Sequence, residues 1–144
     1  GNSTMEILHF ITYIKIAGKN YPMSFSLGAS KKITEKYGST KKMNELLSGG
    51  DDFKKIDMVT DLLSLLISQG CAYKNYFEQD IPTSEDDPII DGKWTPLARE
   101  VIEIAVGIED VEEITAKIEE CIGAGSKKEV ELRSEGKNAK SAQG

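Results

Sequence analysis

The stretch Asp61-Leu-Leu-Ser-Leu-Leu-Ile-Ser-Gln-Gly70 lies inside the best-defined element of the chain, and its reading decides the fold. Extended back to Phe53 and on to Phe77, it shows two apolar stripes at helical spacing. Ile56, Val59, Leu63 and Leu66 share one face; Met58, Leu62, Leu65, Tyr73 and Tyr76 share another. A helix that is apolar on two faces belongs in the middle of a fold. Burying the eight large apolar side chains between Ile56 and Ile67 contributes roughly 12 to 24 kcal/mol gross, and ordering the dozen residues that carry them costs a comparable amount, about 1–2 kcal/mol each. The helix therefore needs partners around it.

Upstream, Ile7 to Ile16 is β-branched and aromatic, and Tyr21, Met23, Phe25 and Leu27 alternate with polar neighbours. These two strands, joined through Gly18, Lys19 and Asn20, predict an antiparallel hairpin, with Pro22 confining the second strand to an edge or marking its first residue. Gly28 breaks that pattern. Ala29 to Tyr37 reads as a short helix closed by Gly38, and Ser39 or Thr40 caps a second that runs through Met43, Leu46 and Leu47 to Gly49-Gly50. Asp51 or Asp52 caps the long helix.

Downstream, Asp80 to Lys93 holds Pro82, Pro88, Gly92 and the acids Glu85, Asp86 and Asp87, a composition that reads as a loop. Thr95-Pro96 has the signature of a helix start, with Leu97, Val101, Ile104 and Ala105 as its stripe and Gly107 as its interruption. A last helix begins near Glu109-Asp110, follows Val111, Ile114, Ile118 and Ile122, and stops at Gly123 and Gly125. The fold class is α+β: an N-terminal antiparallel β-hairpin packed on a mainly helical domain with one long central helix and a disordered C-terminal tail. Residues 5–122 form one domain. Residues 1–4 read as a cloning remnant before a natural start at Met5, and residues 123–144 as a polar tail.

The 144 residues, 39% hydrophobic, suffice for one core. With 18 basic against 24 acidic residues the formal charge is −6, so nucleic acid is an unfavoured partner. The acidity is local. Residues 1–80 hold ten lysines and nine acids, whereas the later loop and last two helices carry most of the negative charge. No apolar run is long enough to cross a bilayer. Cys71 and Cys121 are far apart and without metal or redox spacing, which suits a reducing compartment and a role as small buried apolar residues.

No catalytic, metal or cofactor site emerges from the motifs. The single histidine, His9, falls in a strand with no Ser or Cys beside it to activate. The acid pairs Asp51/Asp52, Asp86/Asp87 and Glu119/Glu120 lack the spacing of a calcium loop, and neither glycine cluster is followed by Lys-Ser/Thr at phosphate-loop spacing. Two groups remain as candidate partner-binding residues. Ile102, Val106 and Ile108 lie off the main stripes of the last two helices, and Tyr73, Tyr76, Phe77 and Trp94 supply aromatic area of the kind that dominates binding hot spots.

The segment Tyr21-Pro-Met-Ser-Phe-Ser-Leu-Gly-Ala29, running on to Ile33-Thr-Glu-Lys-Tyr-Gly-Ser39 and then to the long apolar helix, resembles the tail assembly chaperones of long-tailed phages and prophages of Gram-positive hosts. The likeness covers Met5 to Ile122 in order of elements. It implies a non-enzymatic protein of the host cytoplasm that keeps the tape measure protein soluble and recruits tail tube subunits, with a homo-oligomer also compatible. It further implies two products made by ribosomal frameshifting, for which the codons of Lys127-Lys128 and Gly136-Lys137-Asn138 are candidate slippery sites. A competing reading is a DNA-binding accessory or regulatory protein that uses Lys31, Lys32, Lys36, Lys41 and Lys42, although that stretch has no arginine.

Overall fold

Strands β1 (Thr12–Ile16) and β2 (Lys19–Met23) pair antiparallel, with Ile14 opposite Tyr21 and Ile16 opposite Lys19. The computed structural model describes residues 10–49 and 52–125. The expectations for residues 1–4, for the strand residues before Phe10, for His9, for Gly50 and Asp51 and for the tail beyond residue 125 fall outside them, and of the described part of the expected first strand Phe10 and Ile11 lie before β1. Within β1, alternation turns Ile14 and Ile16 into the core and leaves Tyr13 and Lys15 outside. The hairpin turn is Ala17–Gly18, with φ of 50° and 83°. Positive φ at both central residues makes a two-residue turn whose twist matches the strands. It therefore ends one residue into the expected Gly18–Asn20 connection and draws Lys19 and Asn20 into the ladder.

β2 stops at Met23, short of the expected Leu27, because Ser26 caps the next helix: its hydroxyl accepts from the Ala29 N–H at 3.0 Å. Helix α1 (Leu27–Tyr37) thus includes Gly28 instead of breaking there, and Leu27 is exposed on its first turn. Ser39 caps α2 (Thr40–Ser48) in the same way, and both short helices bury one side, Ala29 and Ile33 from α1, Met43 and Leu47 from α2. Helix α3 (Asp52–Phe77) is the central element. Met58, Val59, Leu62, Leu63, Leu66, Ile67 and Cys71 are all buried, and α1, α2, both hairpin strands' core face and the later helices pack around them.

The sharpest contact is between α3 and β2. A Cβ on Gly70 would lie 2.1 Å from the Pro22 carbonyl oxygen and 2.9 Å from the Met23 nitrogen, so backbone rests on backbone there. The Ser24 N–H donates to the Leu66 carbonyl at 3.0 Å. Pro22, with no N–H to leave unpaired, is fully buried at this junction.

The segment expected as a plain loop forms a second hairpin, β3 (Ile89–Ile90) with β4 (Lys93–Trp94), around the positive-φ pair Asp91–Gly92. Its approach is tied to the first hairpin: the Asn20 N–H donates to the Asp86 carbonyl at 2.8 Å, and Lys19 Nζ to the Glu85 carbonyl at 2.6 Å. The Asn75 side chain takes the place of a neighbouring strand, accepting from the Trp94 N–H at 2.8 Å and donating to the Trp94 carbonyl at 2.9 Å. Thr95 serves this hairpin too. Its N–H donates to the Pro88 carbonyl and its hydroxyl to the Lys93 carbonyl, so it does not cap a helix, and α4 (Arg99–Ala105) starts later than the Thr95-Pro96 signature predicts.

A 3-10 turn (Ile108–Asp110) leads into the last helix, α5, over residues 111–125. Ile114, Ile118, Cys121 and Ile122 are buried along it, as the stripe predicts. Gly123 is helical and does not stop it, and Gly125, the last described residue, is still helical; a Cβ on Gly125 would meet the Phe25 ring at 2.8 Å, so α5 packs there against the chain that follows β2. Both cysteines are buried, and burial pushes their thiols up to about 12, so they are protonated packing groups at neutral pH.

Gly70→Ala drives a methyl into the β2 backbone and lowers unfolding free energy by about 3 kcal/mol in urea titration, whereas Gly123→Ala, exposed and with nothing near the added Cβ, raises it by about 0.5–1 kcal/mol. A thiol-specific chromogenic reagent at mildly alkaline pH reacts with neither cysteine in the native protein and with both in denaturant.

Candidate partner-binding surfaces

Helix α4 has seven residues, too few to hold itself, and its position comes from α3. Arg99 at its start donates to both Asp57 and Asp61, one turn apart on α3, and the Ser64 hydroxyl donates to the Leu97 carbonyl at 3.3 Å. Asp61 also accepts from Lys36 of α1, so one carboxylate ties three helices. That hydrogen bond raises the Lys36 ammonium above its ordinary range. On the lysine's side the link is therefore intact at neutral pH and is lost as alkaline pH strips the ammonium.

This anchoring sets which face of α4 is buried. Ile102, expected as part of an exposed side, is 1% exposed and points into the core; Val101 and Ile104, expected as the buried stripe, face outward, with Ile104 84% exposed. The reversal follows from the later helix start, because Arg99 must face the α3 carboxylates and Ile102, three residues on, then falls on the same side. After Ala105 the chain leaves the helix. Val106 and Gly107 are extended, and the turn that follows is held by the Gly107 N–H on Asp110 Oδ2 at 2.8 Å.

The break holds α4 and α5 apart over α3 and leaves an apolar groove of about 290 Å³ between them. Its floor is Ile56, Val59 and Leu63 of α3; its walls are Ile102, Val106 and Ile108 on one side and Val111 and Ile114 on the other. Thr60 in the floor spends its hydroxyl on the Ile56 carbonyl at 2.8 Å, so it adds no unmet polar group. Glu103 stands at the rim. All three aliphatic residues proposed from the sequence line this groove, but they differ in kind: Ile102 is part of the core, Val106 is half-buried, and Ile108 is 69% exposed.

The four aromatic candidates lie elsewhere, three at the C-terminal end of α3 and Trp94 on β4. Tyr73 and Tyr76 each place their ring centroids 5.0 Å from that of Phe77, and Tyr76 and Phe77 are exposed. Ten residues separate Leu63 from Tyr73, about 15 Å along a helix, so this end is a second surface and not a continuation of the groove. Trp94 is drawn away from that cluster by Asn75. Its ring and that of Tyr13 flank Lys74 Nζ, at 5.4 and 5.3 Å, and Lys74 also pairs with Glu78 at 2.7 Å. Burial alone lowers the Lys74 ammonium, but hydrogen bonds to Glu78 and Tyr13 outweigh it and leave it raised. Tyr13 and Lys74 were missed by sequence reasoning, since the spacing within each element says nothing of a partner 61 residues away. Of the lysines in the basic stretch, Lys36 is committed to Asp61, while Lys31, Lys32, Lys41 and Lys42 are exposed.

Among the described residues no helix is long and apolar enough to cross a membrane. The chain matches no protein-family model, and no curated protein or solved structure is significantly similar to it. Replacing Arg99 by Met is expected to lower stability by about 1 kcal/mol, and to speed amide hydrogen exchange in Ile102–Val106 well beyond that in α3, because α4 loses its ionic anchor and keeps only its packing and the Ser64 bond to Leu97.

Proposed function

We propose that this protein is a non-enzymatic client-holding protein, a tail assembly chaperone of a phage or prophage that binds the tape measure protein and recruits tail tube subunits. The observation that carries the reading is the apolar groove over α3, open to solvent and walled by Val106, Ile108 and Val111. Lined almost wholly by aliphatic side chains, it suits an amphipathic helical segment laid in by its apolar face, the chemistry a long helical client offers. The strand-to-helix sequence from Tyr21 to Ser39 and the long helix after it add the resemblance to that family. The exposed aromatic end at Tyr76 and Phe77 is the second surface available to it, and in this reading the one that meets tail tube subunits.

Co-expression with the tape measure protein tests this. The client is expected in the soluble fraction and retained on the tagged chaperone, with Ile108→Asp reducing retention by about 30-fold or more while circular dichroism and melting stay unchanged, since Ile108 is mostly solvent-exposed. Retention unaffected by Ile108→Asp removes the groove from the contact, and a client that stays insoluble in every combination removes the reading.

A further inference from the structure

The groove has an electrostatic frame as well as an apolar floor. From Glu100 to Glu113 the chain carries six acids, Glu100, Glu103, Glu109, Asp110, Glu112 and Glu113, and no lysine or arginine. This segment is α4, the turn and the first residues of α5, the same elements that wall the groove. Arg99, just before this segment, is already neutralised by Asp57 and Asp61, and Lys117, one turn after Glu113, pairs with Glu120 at 3.3 Å. On α3, Asp52 shares the helical face of Ile56, Val59 and Leu63, with Lys55 and Asp57 to its two sides. Ile108, after the break, is exposed where it lines the groove, and Val101 and Ile104 are exposed on the outward side of α4.

We infer that the groove selects a basic amphipathic helix: an apolar stripe flanked by Lys or Arg. The inference rests on the client-holding reading and adds the chemistry of the client. The floor from Ile56 to Leu63 is about 10 Å long, two helical turns, which matches anchors at i, i+3 or i+4, and i+7. Lysine and arginine flanks pair with the acids carried by the elements that wall the groove, Glu103 at its rim among them, and extend the apolar contact over Ile108 with their aliphatic stems. A second copy of this chain docking through the same face is disfavoured, because it brings the two sets of acids together. An acidic helix of equal hydrophobicity meets the same repulsion.

The test uses fluorescence anisotropy with two labelled synthetic peptides sharing one leucine stripe at i, i+3, i+4 and i+7, one flanked by lysines and the other by glutamates. At low salt the lysine peptide is expected to bind about tenfold tighter or more, with the advantage shrinking as ionic strength rises. Glu103→Lys combined with Glu109→Lys shrinks that advantage, because the six acids of the segment become four acids and two lysines, and Ile108→Asp weakens both. Equal binding of the two peptides, still lost in Ile108→Asp, overturns the charge selection and leaves the client-holding groove standing. If neither peptide binds, both are overturned. A concentration-dependent dimer in sedimentation velocity that Ile108→Asp disperses overturns the inference in favour of a second copy as occupant.

Discussion

The backbone of β2 lies directly against the backbone of α3, and this approach governs the arrangement of the remaining elements. It is possible because position 70 has no side chain and because Pro22, opposite it, has no N–H to strand in an apolar setting. Contact at this range lets Met23, Tyr21 and Ile14 reach the same core as Leu66, Ile67 and Cys71, and the Ser24 bond to the Leu66 carbonyl fixes the height at which they meet. With the hairpin set on one side, α3 offers its other sides to α1 and α2 and to the helices that follow. A two-stranded hairpin is marginal alone and a doubly apolar helix is insoluble alone; each removes the other's liability.

Polar tethers then decide where the later elements go, and they do so from α3. Asn75 imitates a strand edge and holds Trp94. Lys74 is enclosed by Tyr13, Trp94 and Glu78, joining the two hairpins through one ammonium. Asp57 and Asp61 hold Arg99 and hence α4. Because α4 is pinned at its first residue and released after Ala105, its far end does not close down on α3, and the aliphatic groove is what remains between a pinned start and the next helix. The groove is thus a consequence of where two carboxylates sit on a neighbouring helix, together with two extended residues, Val106 and Gly107.

Particular residues show how legibility divides. The 3.6-residue stripe of α3 and the Ile114, Ile118, Ile122 stripe of α5 needed only local periodicity, and Ser39 and Gly38 needed only cap chemistry; all were readable. The face of α4 was not, since REVIEIA is apolar on both sides and nothing within seven residues chooses between Ile102 and Ile104. The choice is made by Arg99 meeting α3. The second hairpin had a local signal, Asp91-Gly92 between Ile89-Ile90 and Lys93-Trp94, but prolines and acids around it argued for a loop, and the bonds that overrule them come from Asn20, Lys19 and Asn75.

Sequence alone therefore settled the α+β class, the leading hairpin, the central helix and the acidity of the last helices, because each depends on periodicity, turn chemistry or charge within a few neighbouring residues. Tertiary structure alone decided that Ile102 is core while Ile108 is surface, that Trp94 leaves the aromatic cluster for Lys74, and that Val106, Ile108, Val111 and Ile56 line one groove. Those facts depend on groups brought together from distant parts of the chain. A side chain's spacing records which face of its own element it occupies; what that face meets is set by the partner.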